Sequence, residues 1–420
     1  MAVAEPLTPQ SLDIISNEHY VNGYPHEEWA RLRREAPVFY YDQHVINPFW
    51  AVTRHADIVK ISREPSLFRN GPRIAVLPGF DLSDDAALQI RHLLNMDPPE
   101  HGAFRKLTSA RFTPRGLLPF AHDVARISDA LLDEMYQGGE EVETDFVEAF
   151  SARLPLEVLA AMLGVPTEDW SLMFKWTNEI VGSSDPEYRE EGETRTDTTD
   201  RARNALFGYF MAMVEERRAR PTGDIVSLIA NSELGGERIP PVELLSYYFL
   251  LVVAGNETTR NATSGGLAAL IENPGELAKL RADESLMKPA VEEIVRWTSP
   301  VIQFCRTPLE DIELRGQKIR AGENLCLFYP SANRDEEVFE APDEFRVDRR
   351  PNHHLGFGIG EHFCLGANLA RLELRVAFTK LLRRLESVEA AGEIDRLASS
   401  FIGGIKRMPI RYRLNRGADA

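Results

Sequence analysis

The stretch 243–271, ELLSYYFLLVVAGNETTRNATSGGLAALI, constrains this chain more than any other. Its apolar residues cover every side of a helix rather than one stripe, so it must be buried through the middle of a molecule large enough to surround it. The chain has 420 residues, 43% of them hydrophobic, which is enough for that core. Inside the run, Ala254-Gly255-Asn256-Glu257-Thr258-Thr259 interrupts the apolar pattern. Small residues followed by an acid and a hydroxyl are costly in a core unless something there needs them. The plainer alternative is that Thr258 bonds back to the carbonyl one turn earlier, which also bends helices.

The second anchor is PNHHLGFGIGEHFCLG, residues 351–366, in which one cysteine, Cys364, is wrapped in glycine. Leu365, Leu369, Leu372 and Val376 follow near helical spacing, so Cys364 stands at the start of an amphipathic helix. Unpaired backbone N–H groups and the positive end of the helix dipole favour a thiolate there, and a thiolate is a metal ligand. Gly356, Gly358, Gly360 and Gly366 let the backbone turn tightly and let a flat, bulky partner lie against it. For a lone cysteine the alternative is a buried free thiol beside a turn. Rival motifs fail on spacing: the glycines do not make a dinucleotide fingerprint, and Ala262 two residues before Ser264 leaves no nucleophile elbow.

Phe357, Gly360, His362, Cys364 and Gly366 together fill the pattern F-x-x-G-x-[R/H]-x-C-x-G. In this the chain resembles the cytochrome P-450, or haem-thiolate monooxygenase, superfamily, and the resemblance extends over nearly the whole length. It implies a mainly α fold with a smaller β region, with haem b buried between a long central helix and the cysteine loop and Cys364 as its axial thiolate. Residues 254–259 resemble the family's [A/G]-G-x-[D/E]-T-[T/S] motif. There Ala254 and Gly255 leave space for dioxygen, while Glu257 and Thr258 deliver protons. Residues 97–105 match D-P-P-x-H-x-x-x-R, which makes His101 and Arg105 partners of the haem propionates together with Arg306 and His362. Phe357, Gly358 and Gly366 border the cofactor.

Glu293 and Arg296 form E-x-x-R on one helix face. Such a pair is by itself a weak surface feature. With Arg349 as a third member it resembles the family's lock on the ligand loop. The resemblance also marks apolar pocket candidates: Ile74, Val76, Leu77 and Phe80 in an irregular stretch, Leu250 and Val253 on the central helix, Val301, Ile302 and Phe304 in an extended segment, and Phe401 and Ile402 in the last apolar loop. The polar run 182–200 reads as a solvated loop, placed by the resemblance between two lid helices.

Periodicity predicts helices over 26–36, 55–61, 118–135 and 146–163, short strands over 38–41, 49–53 and 409–412, and a helix opened by the proline pair near 98. With no Gly/Ser linker and no repeat, we expect one domain over 1–420. The N-terminus has no basic region followed by an apolar block, so neither a signal peptide nor a membrane anchor is expected. Three cysteines, Cys305, Cys326 and Cys364, suggest a reducing compartment, with cytoplasm as the default. A net charge of −17 argues against nucleic acid as a partner. The family analogy implies a monomer that receives electrons from a ferredoxin and its NAD(P)H-dependent reductase. Docking is expected near Cys364, on Arg371, Arg375, Lys380, Lys106 and Arg111. The wording of WTSPVIQFCRT, YPSANRDEEVF and FIGGIKRMPIRY resembles soluble bacterial members that hydroxylate terpenoids, so a terpenoid is the expected substrate. Steroids, aromatic hydrocarbons, alkyl chains and fatty acids suit the same pocket. A peroxide-driven enzyme would not need the Glu257–Thr258 pair, and a haem gas sensor would carry an output domain.

Overall fold

The computed structural model describes residues 7–43, 47–76, 91–183 and 185–417. The pocket candidates Leu77 and Phe80 lie outside the described residues. Helix accounts for 52% of the chain and strand for 14%, the mainly α arrangement that the sequence implied.

The long apolar run forms one helix, Pro241–Glu272, with proline in its first turn where the missing N–H costs nothing. It is buried on almost every side because other helices surround it: Arg153–Leu163, Trp170–Val181, Arg195–Ala219, Met287–Thr298 and Ala367–Arg384. Their apolar faces meet it in one large core cluster. Leu118–Met135 coincides with the expected helix. The expected helix over 146–163 is instead a wider turn, Val147–Ser151, followed by Arg153–Leu163. Pro155 has no N–H to return to the preceding turn, so the helix restarts there.

A mixed five-stranded sheet lies to one side, in the order Val38–Tyr41, Phe49–Val52, Leu325–Phe328, Gln303–Pro308, Phe68–Arg69. Gln303–Pro308, the inner strand, pairs antiparallel with Leu325–Phe328, setting Cys305 opposite Cys326. A second apolar cluster under this sheet contains both cysteines with Val76, Ile302, Trp29 and Phe328.

The polar stretch after residue 182 is shorter as a loop than its composition suggests. Thr194 and Asp197 form a reciprocal cap, so the helix Arg195–Ala219 begins inside the polar run. The turn Pro186–Tyr188 is then tied to the strand Ile405–Arg407: Lys406 Nζ lies 2.8 Å from Asp185 and 2.9 Å from Glu187.

Candidate cofactor and active site

The cysteine loop is shaped by its own backbone. Gly358 and Gly360 have φ of 67° and 79°, and the Cys364 N–H donates to the Phe357 carbonyl at 2.9 Å, folding the chain back on itself. A Cβ on Gly360 would stand 2.1 Å from the Ser62 carbonyl oxygen, so this glycine serves a close approach of protein to protein. The expected flat partner therefore does not explain every glycine in the loop. Gly366 is different: a Cβ there would meet only Cys364 Sγ, at 4.0 Å. The helix begins at Ala367, not Leu365, and Cys364 precedes its cap, Gly366, by two residues. Burial pushes the Cys364 thiol up, against the opposing pull of the Gly366 amide, Arg105 and Arg371. The helix terminus alone thus does not make the thiolate, and a metal cation would.

Around the loop, four basic side chains converge on little negative charge. The rings of His101 and His362 lie 4.1 Å apart between centroids. His101 is buried, with Nδ1 3.1 Å from Glu361 Oε1. Arg105 donates to the Phe363 carbonyl at 2.6 Å, and the buried Arg306 donates to the Cys305 carbonyl at 2.7 Å. Burial, then the fields of His101, Arg306 and Arg105, pushes the His362 pKa down to about 2. Its Nε2 is buried and has no hydrogen-bond partner. Buried donors are normally satisfied, and among the described residues the guanidinium groups of Arg105 and Arg306 have carbonyl partners but no carboxylate partner. The two propionates of haem b supply that missing charge, so the residues present fit the group.

The central helix opens on one strip. Ala254 is exposed in the middle of an otherwise buried helix, and Val253, Gly255 and Thr258 are half-buried. Of the two small residues, Ala254 leaves the space, whereas a Cβ on Gly255 would press Leu159 at 3.1 Å. Thr258 Oγ1 donates to the Ala254 carbonyl at 2.8 Å, the back-bond expected of a mid-helix threonine, while remaining on the open strip. Glu257 turns the other way. It is 1% exposed, and its Oε2 lies 2.8 Å from Arg260 Nη2, off the line of a hydrogen bond. Asn178 holds Arg260 from the helix Trp170–Val181. Burial raises the Glu257 pKa against the pull of Arg260.

The lock is fully assembled. Glu293 and Arg296 pair at 2.7 Å, and Arg349 Nε lies 3.1 Å from both oxygens of Glu293, all three side chains being buried. Arg296 also donates to the Asn333 carbonyl, and the Asn333 side chain accepts the Leu355 N–H at 2.6 Å, where the cysteine loop begins. Sequence reasoning missed a second tie. Glu292 takes both Arg371 Nε and Nη2, at 2.7 and 2.8 Å, and lies 3.0 Å from His354. The neighbouring acidic pair Glu292-Glu293 was its signal. Arg371, expected on a docking surface, is half-buried, paired with Glu292, and stacks on Phe357 at 4.4 Å. Lys380 is likewise paired, with Asp129 at 2.7 Å. Arg375 and Lys106 are exposed and Arg111 half-buried. A surface groove of about 420 Å³, bordered by His55, Arg63, His353, Phe363 and Arg371, lies beside the loop.

Of the pocket candidates, Ile74, Val253, Val301, Phe304 and Phe401 are half-buried, and Leu250 and Ile402 are buried at 8% exposure. Val301 bridges Ile402, and the rings of Phe304 and Phe401 meet edge to face at 5.7 Å. Val76 and Ile302 instead pack into the second core cluster, so they back the wall rather than face a ligand. Alternation breaks before the strand begins at Gln303: Val301 and Phe304 pack against one cluster, while Ile302 and Cys305 lie in the other.

A thiol loop bordered by two guanidinium groups without a carboxylate partner among the described residues, together with a long buried helix open on one strip, fits a haem-thiolate protein. Comparison with known proteins agrees. The cytochrome P450 family model matches residues 81–400. Cytochrome P450-terp of a Pseudomonas species is 38% identical over 404 residues, 93% of each chain. The steroid C26-monooxygenase of Mycolicibacterium smegmatis is 37% identical over 422 residues, covering 97% of this chain and 95% of the relative. The structure of a Mycobacterium marinum cytochrome P450 in complex with pseudoionone aligns with a TM-score of 0.88 at 35% identity, covering 97% of this chain and 100% of that one. The chain belongs to the cytochrome P450 family. It is accordingly a monooxygenase whose cofactor is haem b held by a cysteine thiolate.

Proposed function

We propose that the chain inserts one oxygen atom from O2 into a C–H bond of a terpenoid, taking electrons from a ferredoxin and an NAD(P)H-dependent reductase. The observation that carries this reading is the open strip at Ala254 and Thr258 in an otherwise buried helix, with a group of half-buried apolar side chains at Val301, Phe304 and Phe401 as the candidate wall. Cys364 would hold the haem iron through its thiolate, and Ala254, Gly255, Phe357, Gly358 and Gly366 would border the haem. His101, Arg105, Arg306 and His362 hold its carboxylates. The bound haem supplies dioxygen activation. The apolar wall excludes water and orients the substrate, so regiochemistry follows from which C–H bond faces inward. Thr258 holds a proton at Oγ1 on the open strip. Glu257 resupplies that proton through water, which requires its side chain to turn from Arg260 toward the strip.

Similarity to a cytochrome P450-terp supports the terpenoid, and the steroid C26-monooxygenase supports a steroid as the second reading. Exposed Lys106 and Arg375, with the groove beside the cysteine loop, support docking of an acidic ferredoxin there. We further read the chain as one domain, monomeric and cytoplasmic. Among the described residues no helix is long and apolar enough to cross a membrane. The test is an optical titration of the ferric holoprotein with terpenoids, steroids, aromatic hydrocarbons and fatty acids, following the Soret band from low toward high spin. Terpenoids should respond at the lowest concentration. A tighter response from steroids moves the substrate to the second reading, and a protein that takes up no haem overturns the assignment of the site.

A further inference from the structure

Gln303 opens the inner strand and is completely buried. Strand alternation sends its side chain away from the face that carries Phe304. Its amide is used at both ends. Oε1 accepts the Val76 N–H at 3.0 Å and the Cys326 thiol at 2.8 Å. Nε2 donates to the Val76 carbonyl at 2.6 Å and to the Ser400 carbonyl at 3.3 Å. Both backbone groups of Val76 are thus met by one side chain, in the way that a neighbouring strand would meet them. The Cys305 N–H completes the seam by donating to the Ile74 carbonyl at 2.7 Å.

Three pieces of the apolar wall therefore hang on one amide. The first is the segment 74–76. The second is the inner strand with Phe304. The third is the loop that runs from Ser400 into Phe401, whose carbonyl accepts the Ile302 N–H at 2.9 Å. An apolar side chain of equal volume would fill the same space without desolvating an amide, so packing alone does not call for glutamine. What the amide adds is direction: it fixes the distance between segments far apart in sequence.

We propose that Gln303 is a positioning residue that sets the spacing of the substrate-facing wall and thereby decides which C–H bond is presented for oxidation. This deepens the monooxygenase reading above and rests on it. With no exposed surface, Gln303 acts through Phe304, Phe401 and the segment 74–76.

The test uses the holoenzyme with Gln303→Met, which keeps the side-chain volume and removes the amide. Leu131→Ala, in the helix Leu118–Met135 and in a core cluster separate from that of Val76 and Cys326, serves as a control for lost stability. Gln303→Met should raise KM by about tenfold with kcat within about twofold, and should broaden the distribution of oxidation sites. It should also speed amide hydrogen exchange at Val76 by about tenfold. Leu131→Ala should lower the melting temperature and change neither. If Gln303→Met fails to hold haem, Gln303→Asn keeps an amide but is one methylene too short to meet both backbone groups of Val76, and it should give the same changes at smaller size. A Gln303 variant that is less stable yet keeps the wild-type product distribution and Val76 exchange overturns the proposal. Should wild-type protein turn over none of the substrates, the monooxygenase reading falls. Exchange at Val76 then still decides whether Gln303 holds the wall.

Discussion

Single side chains at the site have separable duties. Thr258 offers a hydroxyl on the one open strip of the central helix. Thr258→Ala should keep the haem spectrum and oxygen consumption but divert several-fold more of the reducing equivalents to peroxide. The check is the ratio of product and of peroxide to NADH consumed, and unchanged coupling would remove Thr258 from the proton path. Glu293 neutralises two buried guanidinium groups, those of Arg296 and Arg349, and also accepts the Arg346 N–H at 2.9 Å. Burial works against its charged form, but Arg296 foremost outweighs that and holds its pKa below the ordinary carboxylate value. Removing one member of a buried ion pair leaves the others uncompensated, at a cost of about 3–5 kcal/mol. Glu293→Ala should lose about that much in denaturant unfolding of the holoprotein and should release haem more readily.

Between elements, charges far apart in sequence fasten loops that apolar packing leaves free. The turn Pro186–Tyr188 joins two long helices, and the strand Ile405–Arg407 follows the loop that carries Phe401. Lys406, its side chain 9% exposed, sits among Asp185, Glu187 and Asp395, and Arg407 reaches Glu187 and Asp395. Burial alone would depress the Lys406 amine, yet bonds to Asp185 and Glu187 raise its pKa above the ordinary value, so it remains a cation. This fastening ties the turn to the strand that follows the loop carrying Phe401. Lys406→Ala leaves Asp185 buried without its cation. Both substrate binding and release should then quicken several-fold in stopped-flow measurements of the spin change. The dependence of the wild-type rates on salt should weaken in the variant, because screening acts on the charges that were removed. Equal rates at all salt concentrations would show that the turn does not limit entry.

For the whole molecule, pH ties stability to these fastenings. Burial raises the Glu292 carboxyl, but Arg371 and His354 more than reverse it and bring its pKa down to about 2 from an ordinary value near 4.5. A carboxyl depressed on folding contributes stability above its unfolded pKa and loses it as pH falls through the folded one. The wild-type advantage over Glu292→Gln should therefore be full at neutral pH and shrink between about 4.5 and about 2. Parallel curves for the two proteins across that range would deny Glu292 this role.

What could be read from the order of residues alone was whatever depends on local spacing. An all-round apolar run must be buried, the residues of a ligand loop lie within one short stretch, and Glu293 and Arg296 share a helix face by their three-residue interval. Those features were enough for the mainly α fold and the family. Other features depend on segments that meet only after folding, and no local pattern carries them. Gly360 was needed against Ser62 rather than a cofactor, and Arg371 was spent on Glu292 rather than a partner. Val76 was turned behind the wall, and Gln303 was made the fastening of three segments. The physical reason is that periodicity fixes which side of its own element a residue occupies. Only tertiary packing decides what stands opposite.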